Sequence, residues 1–484
     1  MRKALPLLLA LLAASLWLSC GGGGSAPAPK TSGIAYRAFV TNYVSAGSSS
    51  AGVDIVNAAA DVRANVAPIA AGNNPGMMVV TPNMAATLVF SGNGLLSSDN
   101  QFTIINNTSE TAAGHVILPG MTESFVVSPD SSTAYVAVPT APVPGQSPGV
   151  VEVVSISGAS VVGQVNIPAV QYLAISNSGN RVLAFSEGPD SVADTVAVIT
   201  PSNIGIPGAT VVTTVGGVGV FDHPVAAFFS TDDSTAYILS CGAECGGNQA
   251  SVQQFNLLTN TLVASVPVCV SSGGVQQCAG SVAIVNGSTM YIAGTPYTSG
   301  VGPTQLCPPG TTQATYCGLL TVFNLNTMSV TNTAPIIITD GYHDLMALGP
   351  NGQLFIGAHT CTEILPPYSP PPAGTEVRGC LSIYNTLTTA VGSAAPGGVV
   401  IPPANGDVTG IQPIAKRNED AGQTPLPQQV VYIIQGQGVA DQGGALNIYD
   451  CTIDALEYNP SDQYNPGEIF GLVGDLYDVV TVDF

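Results

Sequence analysis

At 484 residues and a formal net charge of −21, with nine Lys and Arg against 30 Asp and Glu, the chain is too poor in cations to hold phosphate backbones, which excludes nucleic acid as a partner. Only 8% of residues are charged while 45% are hydrophobic, so a large core is within reach and a disordered chain is excluded. The 55 Gly and 37 Pro require many turns.

The first elements concern export. Arg2 and Lys3 precede an apolar run from Ala4 to Leu18, shorter than the ~20 residues of a membrane-spanning helix. Ser19 is the small residue at a cut, and a Gly/Ser/Ala/Pro tract follows Cys20. Residues 1–19 therefore read as a signal peptide, residues 20–32 as a tether, and residues 33–484 as one domain. The signal resembles that of bacterial lipoproteins, which implies lipidation of Cys20, although Trp17 stands where that class usually has Leu. The expected location is the cell envelope, outer membrane or cell surface, with membrane contact through the anchor only. A periplasmic or secreted protein is the alternative.

From residue 33 onward one unit repeats. A turn such as "SPDSSTA" or "STDDSTA" leads into a strand carrying an aromatic or Leu: Leu88, Tyr135, Leu183, Tyr237, Tyr291 and Phe355, with Phe39 and Tyr432 in the same place behind a less clear turn. An alternating strand then ends in a small polar residue: Asn57, Asn106, Ser155, Thr200, Asn256, Asn324, Asn385 and Asp450. The separations within these pairs are 18, 18, 20, 17, 19, 33, 30 and 18 residues. Each unit reads as four strands with period-2 alternation and no useful helix. Such units predict an all-β fold, a single β-propeller of eight four-stranded blades, with seven as the alternative. The first unit lacks an innermost strand, and Tyr477–Phe484 is a strand left over at the end. That strand is expected to complete the first blade and close the ring.

"FVTN" (Phe39 to Asn42), "SPDSSTAYV" and the "VDIVN"-type strand ends resemble the YVTN-type propeller repeats of bacterial exported proteins, within the lactonase-like propellers. The resemblance covers nearly all of residues 33–484. It implies the architecture and carries over no catalytic residue.

The long second-to-third-strand loops of blades six and seven should share one face with the blade-to-blade joins "VGVFDHPV", "VCVSSGGVQQCAG", "DGYHD" and "PGGVVIPPANGD". Eight cysteines sit as close pairs bracketing these loops: Cys241 with Cys245, Cys269 with Cys278, Cys307 with Cys317, and Cys361 with Cys380. Local disulfides are the economical assignment for an exported chain, and Cys451 has no evident mate. The spacing does not fit a zinc or iron–sulfur cluster or a haem motif.

Asp222, His223, Asp340, Tyr342, His343, Asp344 and His359 fall on the decorated face and are the candidate binding residues. His and Asp at strand starts also serve to bond turn backbones, whereas a His/carboxylate metal site on this face stays open. No nucleophile elbow, phosphate loop or dinucleotide fingerprint occurs, so no catalytic residue and no cofactor are assigned. The sequence thus points to an envelope propeller that binds a protein, glycan or small molecule through stapled loops. Two alternatives are a lactonase-like or metal-dependent enzyme and a structural component of a surface layer or appendage.

Overall fold

A computed structural model describes residues 31–43, 51–92, 99–272, 274–298, 301–304, 317–350, 352–361, 378–387, 390–391, 399–400, 407–415, 429–435, 445–451, 455–456, 472 and 474–483. The signal segment and Cys20 lie outside these residues. Among those described, eight sheets of four or five strands succeed one another along the chain, one per repeat. The eight-bladed expectation holds.

The first blade is assembled from both ends of the chain. Arg37–Tyr43 pairs on one side with Gly52–Asn57 and on the other with Asp475–Thr481, which forms the innermost strand. A charged clamp reinforces this closure. The Arg37 guanidinium donates to Asp483 through Nε (2.7 Å) and Nη2 (2.5 Å), and through Nη1 to Glu110 Oε1 (2.8 Å) in the second blade. One arginine therefore ties the last residues to the first and second blades, with both carboxylates mostly buried.

Strand alternation explains where the core lies. Phe39, Leu88, Leu183, Phe355 and Tyr432 are fully buried, and they pack between neighbouring blades rather than within one. Leu88, Phe90 and Phe102 of the second blade, for example, meet Phe125, Val136 and Val154 of the third. At the opposite seam, Phe355 and Leu381 of the seventh blade meet Val431 and Tyr449 of the eighth. Each sheet buries both faces against its neighbours, which a chain this apolar can supply all round.

Both repeated motifs are turn devices. In "SPDSST", Ser128 Oγ donates to Asp130 Oδ1 (2.5 Å), which also accepts the Ser132 N–H (3.0 Å). The fifth blade repeats this with Ser230, Asp232 and Ser234 (2.7 and 3.1 Å). Met84, Ser131, Gly179 and Asp233 occupy the same left-handed position in the turns of blades two to five, and Gly287 and Gly352 take left-handed conformations in the shorter turns of blades six and seven. The polar strand ends cap the next turn. Asn106 Oδ1 accepts from the N–H groups of Thr108 and Ser109 (both 2.9 Å), and Asn256 and Asn324 act alike. The residues that mark the repeat are thus there for backbone satisfaction.

Candidate functional site at the loop face

Inner strands of all eight blades surround the axis. Toward the loop face they open into a cavity of about 640 Å³, whose lining includes Met77, Glu123, Tyr172, Tyr342, His359 and Tyr477. Asp344 and Asp478 also reach it.

Its charged centre is an ion-pair triad. Tyr342–Leu348 is the inner strand of the seventh blade and pairs with Gln353–Cys361, placing Tyr342 directly opposite His359. Their rings meet edge to face, with centroids 6.5 Å apart. His359 Nε2 stands 3.0 Å from Asp344 Oδ2, and Nδ1 stands 3.1 Å from Asp407 Oδ2 at the head of the eighth blade. Burial alone would favour the neutral imidazole. The two carboxylates outweigh it and push the His359 pKa up to about 10. This histidine is an imidazolium at neutral pH, held between two carboxylates, and therefore unsuited to take a proton as a base.

Several acids nearby are held toward the neutral form. Burial raises Glu244 to about 8, against the opposing bonds from the Thr295 and Gly280 N–H groups. Burial also raises Asp478 to about 7, although the N–H groups of Met78 and Val479 donate to it. Glu123 is raised by burial as well, while its bond from Gln171 works the other way. Burial moves Tyr342 to about 12 and lifts Tyr172 and Tyr477 further, so all three remain protonated donors.

The loops that frame the cavity touch one another, as expected for a shared face. Cys241 N–H donates to the His223 carbonyl (2.9 Å), and Thr295 Oγ1 donates to the Gly341 carbonyl (2.8 Å). Disulfides Cys241–Cys245 and Cys269–Cys278 staple the loop of the fifth blade and the following join, where Cys269–Ser272 and Val275–Cys278 form a hairpin. Cys317 and Cys380 are also disulfide-bonded. Cys307 and the Cys361 side chain lie outside the described residues. Cys451 is a buried thiol packed beside Phe355 and Tyr449.

The seven candidate residues separate into four places. Tyr342, Asp344 and His359 meet at the cavity. His343 lies between them in sequence but faces the opposite way, fully buried beside Gly318, and burial lowers it to about 4. Asp340 is buried in the join before this strand. Asp222 and His223 form a second cluster, with Asp194 of the fourth blade. Next to it lies a cavity of about 340 Å³ lined by Tyr172, Glu187, His223, Glu244 and Tyr342. Tyr172 and Tyr342 stand between the two cavities. Sequence reading did not single out Glu123, Tyr172, Asp194, Glu244, Asp407 or Asp478. The strand-start positions of Tyr172 and Asp407 were the only signal available.

Fold and site together define an eight-bladed propeller with an acidic, tyrosine-rich mouth. Among solved structures, dihydro-heme d1 dehydrogenase NirN in complex with DHE is similar over 95% of this chain and 78% of that one, at 13% identity and a TM-score of 0.54. The periplasmic gluconolactonase PpgL of Pseudomonas aeruginosa is similar over 76% of this chain and 98% of that one, at 15% identity and a TM-score of 0.48. Kuenenia stuttgartiensis hydrazine synthase matches 65% and 77%, at 14% identity and a TM-score of 0.45. These likenesses concern the fold. No family profile matches the chain, and no curated protein matches it.

Proposed function

We propose that this is an exported, lipid-anchored envelope propeller that binds a small hydroxyl- or amine-bearing molecule in its mouth without transforming it. The observation that carries the reading is the His359 triad. A histidine clamped between Asp344 and Asp407 organises the mouth and is protonated at neutral pH, so it orients and donates rather than abstracts. Ser281, the hydroxyl at the cavity wall, has its proton committed to the His343 carbonyl (2.7 Å).

Carboxylates accept from hydroxyl and ammonium groups, and tyrosine rings cover the apolar faces of a sugar-like or amine ligand. An anionic ligand would meet the acidic wall. The disulfide-stapled loops hold this arrangement before the ligand arrives, which lowers the entropic cost of binding. Export and lipidation rest on the sequence of residues 1–32 and on the disulfides, which an oxidising compartment preserves.

Calorimetric titration of the purified chain with glucose, glucosamine and gluconate tests the binding reading. The neutral or cationic sugar should bind and gluconate should not, and Tyr342→Ala with Asp344→Asn should weaken binding about 10-fold or more. Turnover of glucono-lactone that disappears in His359→Gln would establish the enzyme alternative instead. Labelled fatty acid incorporated by the wild type and lost in Cys20→Ala would support the anchor.

A further inference from the structure

We propose that Asp194, Asp222 and His223 form a binding site for one divalent transition-metal ion, zinc above others, at the seam of the fourth and fifth blades. The three side chains come from different loops. Asp194 follows the one-turn helix Asp190–Ala193, between the second and third strands of the fourth blade. Asp222 and His223 stand in the join just before the fifth blade's inner strand, Pro224–Phe229. His223 Nδ1 lies 3.6 Å from Asp194 Oδ1 and 3.5 Å from Asp222 Oδ1. These separations are too long for good hydrogen bonds. They match the ~3.3–3.5 Å edges of a tetrahedron whose bonds are ~2.0–2.2 Å, the usual zinc–nitrogen and zinc–oxygen lengths.

A second observation points the same way. Asp194 Oδ1 and His223 Nδ1 are buried with no hydrogen-bond partner, although the Asp194 side chain is only 5% exposed and that of His223 only 11%. Buried polar atoms left unbonded are costly, and these two stand 3.6 Å apart. The remaining oxygens are satisfied in a way that fixes the cluster. Asp194 Oδ2 accepts the Gly219 N–H (2.7 Å); the Asn248 N–H is shared between Asp222 Oδ1 (2.9 Å) and Oδ2 (3.0 Å), and Oδ2 also accepts the Gln249 N–H (2.7 Å). Asn248 and Gln249 follow the Cys241–Cys245 staple, which holds their loop over Asp222. The loop approaches so closely that a Cβ at Gly247 would sit 1.7 Å from Asp222 Oδ1.

His223 itself has φ of +57°, in the left-handed region. An imidazole with two carboxylates suits zinc and its neighbours in the first transition row rather than calcium. The cluster borders the 340 Å³ cavity beside Glu244 and Tyr172, so a fourth coordination position would face that space. This site stands independently of the binding reading for the central mouth.

The test uses the full mature chain, stripped with chelator and dialysed, then titrated with zinc chloride at pH 7 against excess magnesium. One zinc per chain is expected, with affinity lost at least about 100-fold in Asp194→Asn and in His223→Asn. Asn tolerates positive φ, so His223→Asn keeps the backbone in place, and Asp194→Asn retains an oxygen for the Gly219 N–H. Substituted cobalt should give the intense visible bands of a tetrahedral N,O site in the wild type and in His115→Gln, whose histidine is exposed on an outer strand. Absence of stoichiometric zinc uptake in folded wild type would overturn the proposal. So would undiminished uptake in both variants, or a free imidazolium for His223 by NMR with zinc present.

Discussion

On the hairpin-turn face, Ser128, Asp130 and Ser132 of the third blade are matched in kind by Ser230, Asp232 and Ser234 of the fifth. On the loop face no such copying occurs among the described residues. The seventh and eighth blades give His359, Asp344 and Asp407, the fourth and fifth give Asp194, Asp222 and His223, and the sixth gives Ser281. The difference teaches where selection for structure and for chemistry can be separated in a repeat protein. A residue that recurs in register satisfies a need every blade has, namely turn backbone bonds and inter-blade packing. A polar residue that appears once, buried at the loop end, answers to something specific to its place.

The sharpest way to break this comparison is at the ring closure, where the two faces depend on the same ladder. Removing 475–484 takes away the innermost strand of the first blade and Asp483, leaving the buried Arg37 with Glu110 as its one remaining ion-pair partner among the described residues. Loss of a cooperative melting transition and aggregation are expected, followed by calorimetry and light scattering. A monomeric truncation with unchanged melting would show that the ring is held elsewhere.

Next in size is the inter-blade core. Phe355 is fully buried and packs edge to face against Tyr449 at 5.2 Å. Phe355→Ala should cost about 3–5 kcal/mol by denaturant unfolding. The same substitution at Tyr342, which is 41% exposed, should cost far less while reducing ligand binding.

The dependence on pH sharpens the contrast, because the shifted groups cluster on the loop face. His359 has its pKa raised from 6.5 to about 10, so its contribution is complete below 6.5 and is lost as pH climbs toward 10. Glu244, raised from 4.5 to about 8, has the same sign and loses its contribution between those values. His343, lowered to about 4, opposes them only between pH 4 and 6.5. Melting temperature should therefore fall steadily from pH 7 to 10, and His359→Gln should flatten that slope. A melting temperature that rose across this range would contradict the assigned ionisations.

The smallest effect belongs to the repeated turns taken singly. Asp130→Ala removes one set of turn bonds out of many at an exposed site, and about 0.5 kcal/mol or less is expected by chemical denaturation. Binding and metal uptake should not change.

Blade number, the closing strand and the Cys241–Cys245 and Cys269–Cys278 pairings were legible in the sequence because each depends on local order. Alternation, turn chemistry and short spacing are all properties of a few consecutive residues. The placing of Asx caps at Asn106 and Asn256 is written in the same local code. The fate of His343 was not read there: the sequence placed it on the binding face, whereas the strand, bulged between His343 and Leu345, turns it away from the cavity.

The partners of these residues were not legible. Arg37 finds Asp483 across 446 positions, His359 finds Asp407 in another blade, and Asp194 meets His223 only where two blades abut. Side chains brought together across blades leave no spacing in the chain, because their meeting depends on how eight sheets close around one axis. Local sequence determined the blades, and closure of the ring decided which charges would face one another.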